Sequence, residues 1–179
     1  DALFNEGDYA VDDSIEEGLD KTYPLPKLRS SSDGGGRRWE AEMTVPGADG
    51  GEVVLLFRAS DKTGTLFGGL DRMSGMKGKW EVAFWLDGQT QKDLAPKVEN
   101  PVMVIATVVA LTKQWLKRVK PRKWHIIGEA MTKKKLFYVF HKAMRGSGYQ
   151  AVFAQPIDGN YTVVFMSDKV IAKYDADYA

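Results

Sequence analysis

The 179-residue chain contains no cysteine, which excludes disulfide staples, thiolate nucleophiles and cysteine-ligated metals. Histidine occurs only as His125 and His141. A His-rich metal site is thereby excluded, and no Gly-x-Ser-x-Gly elbow supports a Ser-His-Asp triad. Each histidine reads as a core or surface residue. Long apolar runs are also missing. The longest, Val102 to Leu111, is about half of the ~20 residues a membrane-spanning helix needs. The first twenty residues carry no lysine or arginine, the reverse of the basic and then apolar start of a secretory signal. The expectation is a protein that is neither secreted nor bound to a membrane.

What is present suffices for a folded domain. Hydrophobic residues make up 44% of the chain and aromatics 11%, so pervasive disorder and collagen-like architectures are excluded. The net charge of +1 conceals a strong polarity. Residues 1–20 hold eight acids and no basic residue, whereas residues 112–145 hold eleven basic residues against Glu129 alone. Such asymmetry suggests an acidic arm and a basic working face.

The chain divides into three parts. Residues 1–36 read as an acidic flexible segment and linker, with Tyr23-Pro24-Leu25-Pro26 extended and Ser30 to Gly36 rich in serine and glycine. Residues 37–168 read as an α+β domain, and 169–179 as a C-terminal tail. Within the domain, Trp39, Ala41, Met43 and Val45 recur at every second position, as in a half-buried strand, and Glu52 to Ala59 completes a hairpin. Trp80, Val82, Phe84 and Leu86 give a third strand. Pro101 suits a first helical turn, and Val102 to Val119 follows as a helix ended by Pro121. Trp124 to Glu129 reads as a strand. Leu136, Val139, Phe140, Ala143 and Met144 lie at helical spacing, and Tyr149 to Gln155 with Tyr161 to Ser167 forms a closing hairpin. The predicted order is β-β-β-α-β-α-β-β.

This order, with Leu136-Phe137-Tyr138 leading to Gly148-Tyr149, resembles the GNAT-type N-acetyltransferase fold, with an antiparallel or mixed sheet. The resemblance implies an acyl-CoA-dependent N-acetyltransferase, with acetyl-CoA as cofactor and Tyr138 as general acid. It also implies a glycine-rich turn holding the pyrophosphate where the long helix begins. At that place the chain reads Lys97-Val98-Glu99-Asn100-Pro101: no glycine, an acid that repels phosphate, and a proline that removes a donor. The cofactor loop reads as degraded. The stretch Val104 to Tyr149 is similar to small uncharacterised proteins of tailed phages, through Ala106-Thr107-Val108, Lys120-Pro121 and the basic Lys133 to Phe137. That likeness implies an accessory or virion-associated protein, found in the virion or the host cytoplasm, with other virion proteins among its partners.

Two further patterns bear on chemistry. Asp61-Lys62-Thr63-Gly64-Thr65-Leu66 resembles the phosphorylation motif of P-type ATPases and implies a Mg²⁺-dependent phosphatase with Asp61 as nucleophile. Downstream, however, no acidic pair stands ready to hold Mg²⁺. The basic stretch is more informative. Lys113, Lys117, Arg118, Lys120, Arg122 and Lys123 cluster at a helix end and turn, with Trp115 and Trp124 interleaved, and Lys133, Lys134 and Lys135 open the next helix. Cations at a helix C-terminus are favoured by its dipole, whereas three lysines at a helix start oppose it unless an anion is near. Lys117, Arg118, Lys120, Arg122, Lys123, Lys133, Lys134 and Lys135 are the expected binding set for nucleic acid or an acidic protein surface. The reading favours non-catalytic binding, with the acetyltransferase, the Asp61 phosphatase and a purely structural subunit as alternatives.

Overall fold

Alternation of apolar and polar residues decides most of the strands. In β4 (Trp80–Leu86), the residues at 80, 82, 84 and 86 are buried and those between are partly exposed. The computed structural model describes residues 19–33, 36–61, 80–87, 97–128, 140–144, 146–157 and 160–178. Residues 1–18 of the acidic segment, Lys62 to Leu66 of the Asp61 motif, Lys133, Lys134, Lys135 and the Leu136-Phe137-Tyr138 likeness lie outside the described residues.

The fold is α+β. Strands β1 (Arg29–Asp33), β2 (Gly36–Pro46), β3 (Glu52–Ser60) and β4 form an antiparallel meander. Helix α1 (Pro101–Val119) crosses to β5 (Lys123–Gly128). Residues 140–144 are helical (α2), β6 (Tyr149–Ile157) and β7 (Asn160–Ser167) pair as a hairpin, and α3 (Asp168–Tyr178) follows. The seven strands make one mixed sheet in the order β1-β2-β3-β4-β5-β7-β6. Every pairing is antiparallel except β4–β5.

That parallel pair is short. Trp80 faces Trp124, Glu81 faces His125 and Val82 faces Ile126. Beyond these, β4 continues against β3 to Leu86 and β5 continues against β7 to Gly128. The two central strands therefore part halfway along.

One face of the sheet carries the core. Ala41, Leu55, Phe57, Val82, Ile126, Val163 and Phe165 lie on it, packed with α1 residues Val104, Ile105, Val108, Leu111 and Trp115. The first half of α1 is buried almost all round, which explains its lack of a polar stripe. Its two buried threonines are satisfied locally: the Thr107 hydroxyl donates to the Met103 carbonyl at 2.7 Å and that of Thr112 to Val108 at 2.8 Å. Trp115 packs edge-on against Trp80 and Trp124, with centroids 5.5 and 5.9 Å away, and Trp124 stacks on Phe165 at 4.3 Å. These rings tie α1 to the three strands at the centre of the sheet.

Two expectations at the domain's borders need correction. The serine-rich segment is not a linker, because Ser30, Ser31 and Ser32 lie in β1, in register with Trp39, Arg38 and Arg37. An edge strand bonded on one side needs no apolar alternation, so its polar residues resembled loop. Leu28 ahead of it is buried in the core, and the Tyr23 N–H donates to Thr107 Oγ1 at 3.1 Å. The folded unit thus begins well before residue 37. Residues 169–178, expected as tail, belong to α3. Most of that helix is exposed, which leaves little apolar periodicity to read.

Candidate anion-binding surface

The C-terminal end of α1 gathers the cations. Its last turn carries Lys117 and Arg118, and Lys120 is the C-cap. Cations here meet the negative end of the helix dipole. Lys120 adopts a left-handed conformation, with φ 49° and ψ 53°, while its N–H closes the helix onto the Leu116 carbonyl. Glycine is the usual residue for that geometry, since a Cβ there is strained.

The sequence cluster does not form a single patch. Lys113, Lys117 and Lys120 follow one another at i, i+4 and i+7 and so share a side of the helix. With Leu116, Gly146, Ser147 and Tyr149 they line a cavity of about 430 Å³. Its far wall is the turn between α2 and β6, where Gly146 and Gly148 hold φ of 81° and 89°, values open to glycine. The Tyr149 hydroxyl donates to the Pro121 carbonyl at 2.7 Å, which fastens this wall to the end of α1. Burial pushes the Tyr149 phenol up to about 12.

Arg118 turns to another side. Its guanidinium carbon lies 5.4 Å from the centre of the Trp39 ring, a cation–π distance. There, with Arg37, Arg38, Trp39, Trp80 and the β1 serines, it lines a second cavity of about 490 Å³. Arg37 lies over Trp80 at 5.1 Å. Its Nε donates to Asp61 Oδ2 at 2.8 Å, and its backbone N–H donates to Asp61 Oδ1 at 2.7 Å. Both oxygens of Asp61 are therefore engaged, and the residue expected as a phosphoryl acceptor clamps an arginine. Arg37, Arg38 and the serines of β1 were missed by the sequence reading. Their signal was present in Arg37-Arg38-Trp39, but the assumed linker hid the strand that completes the cavity.

Arg122 is exposed in the turn before β5. Lys123 precedes Trp124 in β5, so strand alternation places it on the sheet face opposite α1. That face also bears a cavity of about 570 Å³ lined by Lys27, Arg29, Glu40, Glu42, Arg58 and Trp85, among others. Its charges are mixed in sign. Nearby, burial pushes the Glu81 carboxyl above its ordinary value, and Arg58 partly offsets the rise. His125 and His141 are both buried.

The other end of α1 is occupied by its own cap. The Asn100 side chain accepts from the Met103 N–H at 3.1 Å, and the Asn100 carbonyl accepts from Val104. Pro101 contributes no N–H, and Glu99 stands beside the cap. Little of the usual helix-start cradle remains for a phosphate. Among the described residues no helix is long and apolar enough to cross a membrane, and no group of three or more Asp, Glu or His side chains gathers as a metal would require. Comparison with known proteins returned no match, whether to a family model, a curated protein or a solved structure.

Proposed function

We propose that this chain is a non-catalytic binding domain that engages nucleic acid through the lysine-lined end of α1. The observation that carries the reading is the cavity bounded by Lys113, Lys117 and Lys120, with no acid among its described lining. A left-handed lysine sits at its rim where glycine would be less strained. Mobile ammonium groups around an open concavity suit phosphates arriving in varied geometry. The scaffold reads as GNAT-like, supported by a mixed sheet whose parallel strands part after Val82 and Ile126. On the tailed-phage resemblance, which includes Lys120-Pro121, our reading is an accessory or virion-associated protein, in the virion or the host cytoplasm. Lys133, Lys134 and Lys135 extend the same binding set.

The test is a titration of the full chain with a fluorescent single strand and a duplex at two salt concentrations, alongside Lys117→Glu/Lys120→Glu. Duplex binding with a log–log salt slope of roughly −0.9 per neutralised phosphate is expected, and the double variant should lower its magnitude by about 2. Unchanged affinity and slope in the variant would refute the nucleic-acid reading of this cavity. An acidic virion protein would then be the partner to test.

One observation favours a second reading. Pairing between β4 and β5 stops at Val82 and Ile126, and in a GNAT-like sheet this would leave the acyl group of acetyl-CoA a place between them, with Tyr138 as acid. The Asn100 cap argues against the phosphate half of that site. Saturable CoA binding at millimolar concentration would support the acetyltransferase; none would retire it.

A further inference from the structure

Lys117 and Arg118, adjacent in sequence, line two cavities of different chemistry. On the face of the sheet that carries α1, strand register places Arg37 and Trp39 beside Ser32 and Ser30 of β1. Arg118 descends from α1 onto the Trp39 ring at 5.4 Å, and Arg37 lies on Trp80 at 5.1 Å. Two guanidinium groups, from a strand and a helix distant in sequence, are thus each braced by an indole around one concavity. Asp61 holds Arg37 further through Nε and the backbone N–H, leaving the terminal Nη groups as the side chain's remaining donors. Among the described residues the cavity lining includes no acid.

We propose that this cavity is a site for a phosphate monoester, such as a nucleotide or the phosphorylated end of a strand. Arginine forks and serine hydroxyls are all capable of donating. A terminal phosphate has three oxygens and up to two charges to receive them, whereas a backbone diester or a carboxylate offers only two oxygens and one charge. The volume, about 490 Å³, falls within the range of small-ligand sites. Rings that fix the guanidinium groups before binding reduce the ordering cost that freely rotating side chains would carry. The described lining of the lysine cavity holds no arginine, and ammonium groups on long stems suit a continuous backbone. The inference deepens the anion-binding reading but concerns a separate set of residues, so each can fail alone.

The test uses the full chain with three probes at fixed salt: adenosine 5′-monophosphate followed by ³¹P NMR, and one oligonucleotide with either a 5′-phosphate or a 5′-hydroxyl. The expected result is saturable, shifted ³¹P resonance, at least tenfold tighter binding of the phosphorylated strand, or both. A response to the mononucleotide alone assigns a free nucleotide, and strand preference alone assigns a strand end. Arg118→Lys keeps the charge at an exposed position but loses the fork and the stack on Trp39, and should weaken the phosphate-dependent signal at least tenfold. Lys117→Glu/Lys120→Glu should leave the phosphorylated-to-hydroxyl ratio intact while weakening both strands. Three results would overturn the proposal: no response to any phosphate monoester, equal binding by Arg118→Lys, or a ratio abolished by the lysine variant and not by the arginine one.

Discussion

The two ends of α1 present opposite solutions to one electrostatic problem. At its start, the backbone provides the positive end of a dipole, where an anion could bind with little help from side chains. Here that end is closed: Asn100 caps Met103, Pro101 lacks a donor and Glu99 adds negative charge. At the other end the backbone offers carbonyls, which repel anions, and the chain supplies Lys113, Lys117, Arg118 and Lys120. Anion binding in this protein, on our account, is a property of side chains placed at the end where the backbone opposes it. Backbone sites hold one phosphate in one pose, whereas long cationic side chains follow a polymer.

The anchoring of the cationic end can be broken first, with the largest expected effect. Trp115 is buried between Trp80 and Trp124, and Trp115→Ala should cost about 3–5 kcal/mol in denaturant unfolding. A loss below about 1 kcal/mol would mean that the ring cluster does not hold α1 to the sheet.

The capped end is tested by Asn100→Ala. Loss of the bond to the Met103 N–H should cost about 1 kcal/mol of stability and leave nucleic-acid affinity unchanged. A fall in affinity would move the binding site toward the start of the helix.

Tyr149 joins the wall of the lysine cavity to Pro121. Tyr149→Phe should cost roughly 0.5–1.5 kcal/mol and alter the alkaline limb of a stability profile. Burial pushes the folded phenol up to about 12, against about 10 in an unfolded chain. The unfolded state therefore loses its proton first. The stabilising contribution is complete below pH 10 and is lost as pH rises toward 12. In chemical denaturation across that window, the phenylalanine variant should decline less steeply than the parent.

The smallest effect is the most discriminating. Lys120→Gly relieves a left-handed Cβ and should stabilise the protein by up to about 1 kcal/mol, yet weaken binding to a duplex. Higher stability with undiminished binding would show that Lys120 contributes nothing to the interface.

The sequence revealed those parts of the fold in which one face is buried against the other. Alternation along Trp80 to Leu86 and the apolar run from Val102 to Leu111 marked β4 and α1 because burial constrains residue type. It could not reveal β1, whose Arg29 and Ser30 to Ser32 are exposed on an edge, or α3, which buries little. The site was half legible. The density of lysine and arginine announced a cationic surface, but linear proximity said nothing of direction. Lys117 and Arg118 are adjacent in sequence yet line different cavities, and Lys123 falls on the far face of the sheet. Arg37, some eighty residues from Arg118, shares a cavity with it because β2 and the end of α1 meet on one face.

The central claim is tested most directly by comparing two charge reversals in the same salt series: Lys117→Glu/Lys120→Glu at the lysine cavity and Arg122→Glu/Lys123→Glu beyond it. Both change the net charge equally, so a general electrostatic attraction would weaken duplex binding to the same extent in each. The account predicts that the first pair loses at least tenfold in affinity and about 2 from the magnitude of the salt slope, while the second loses much less. Equal losses, or a larger loss in the second pair, would contradict a binding site at the C-terminal end of α1.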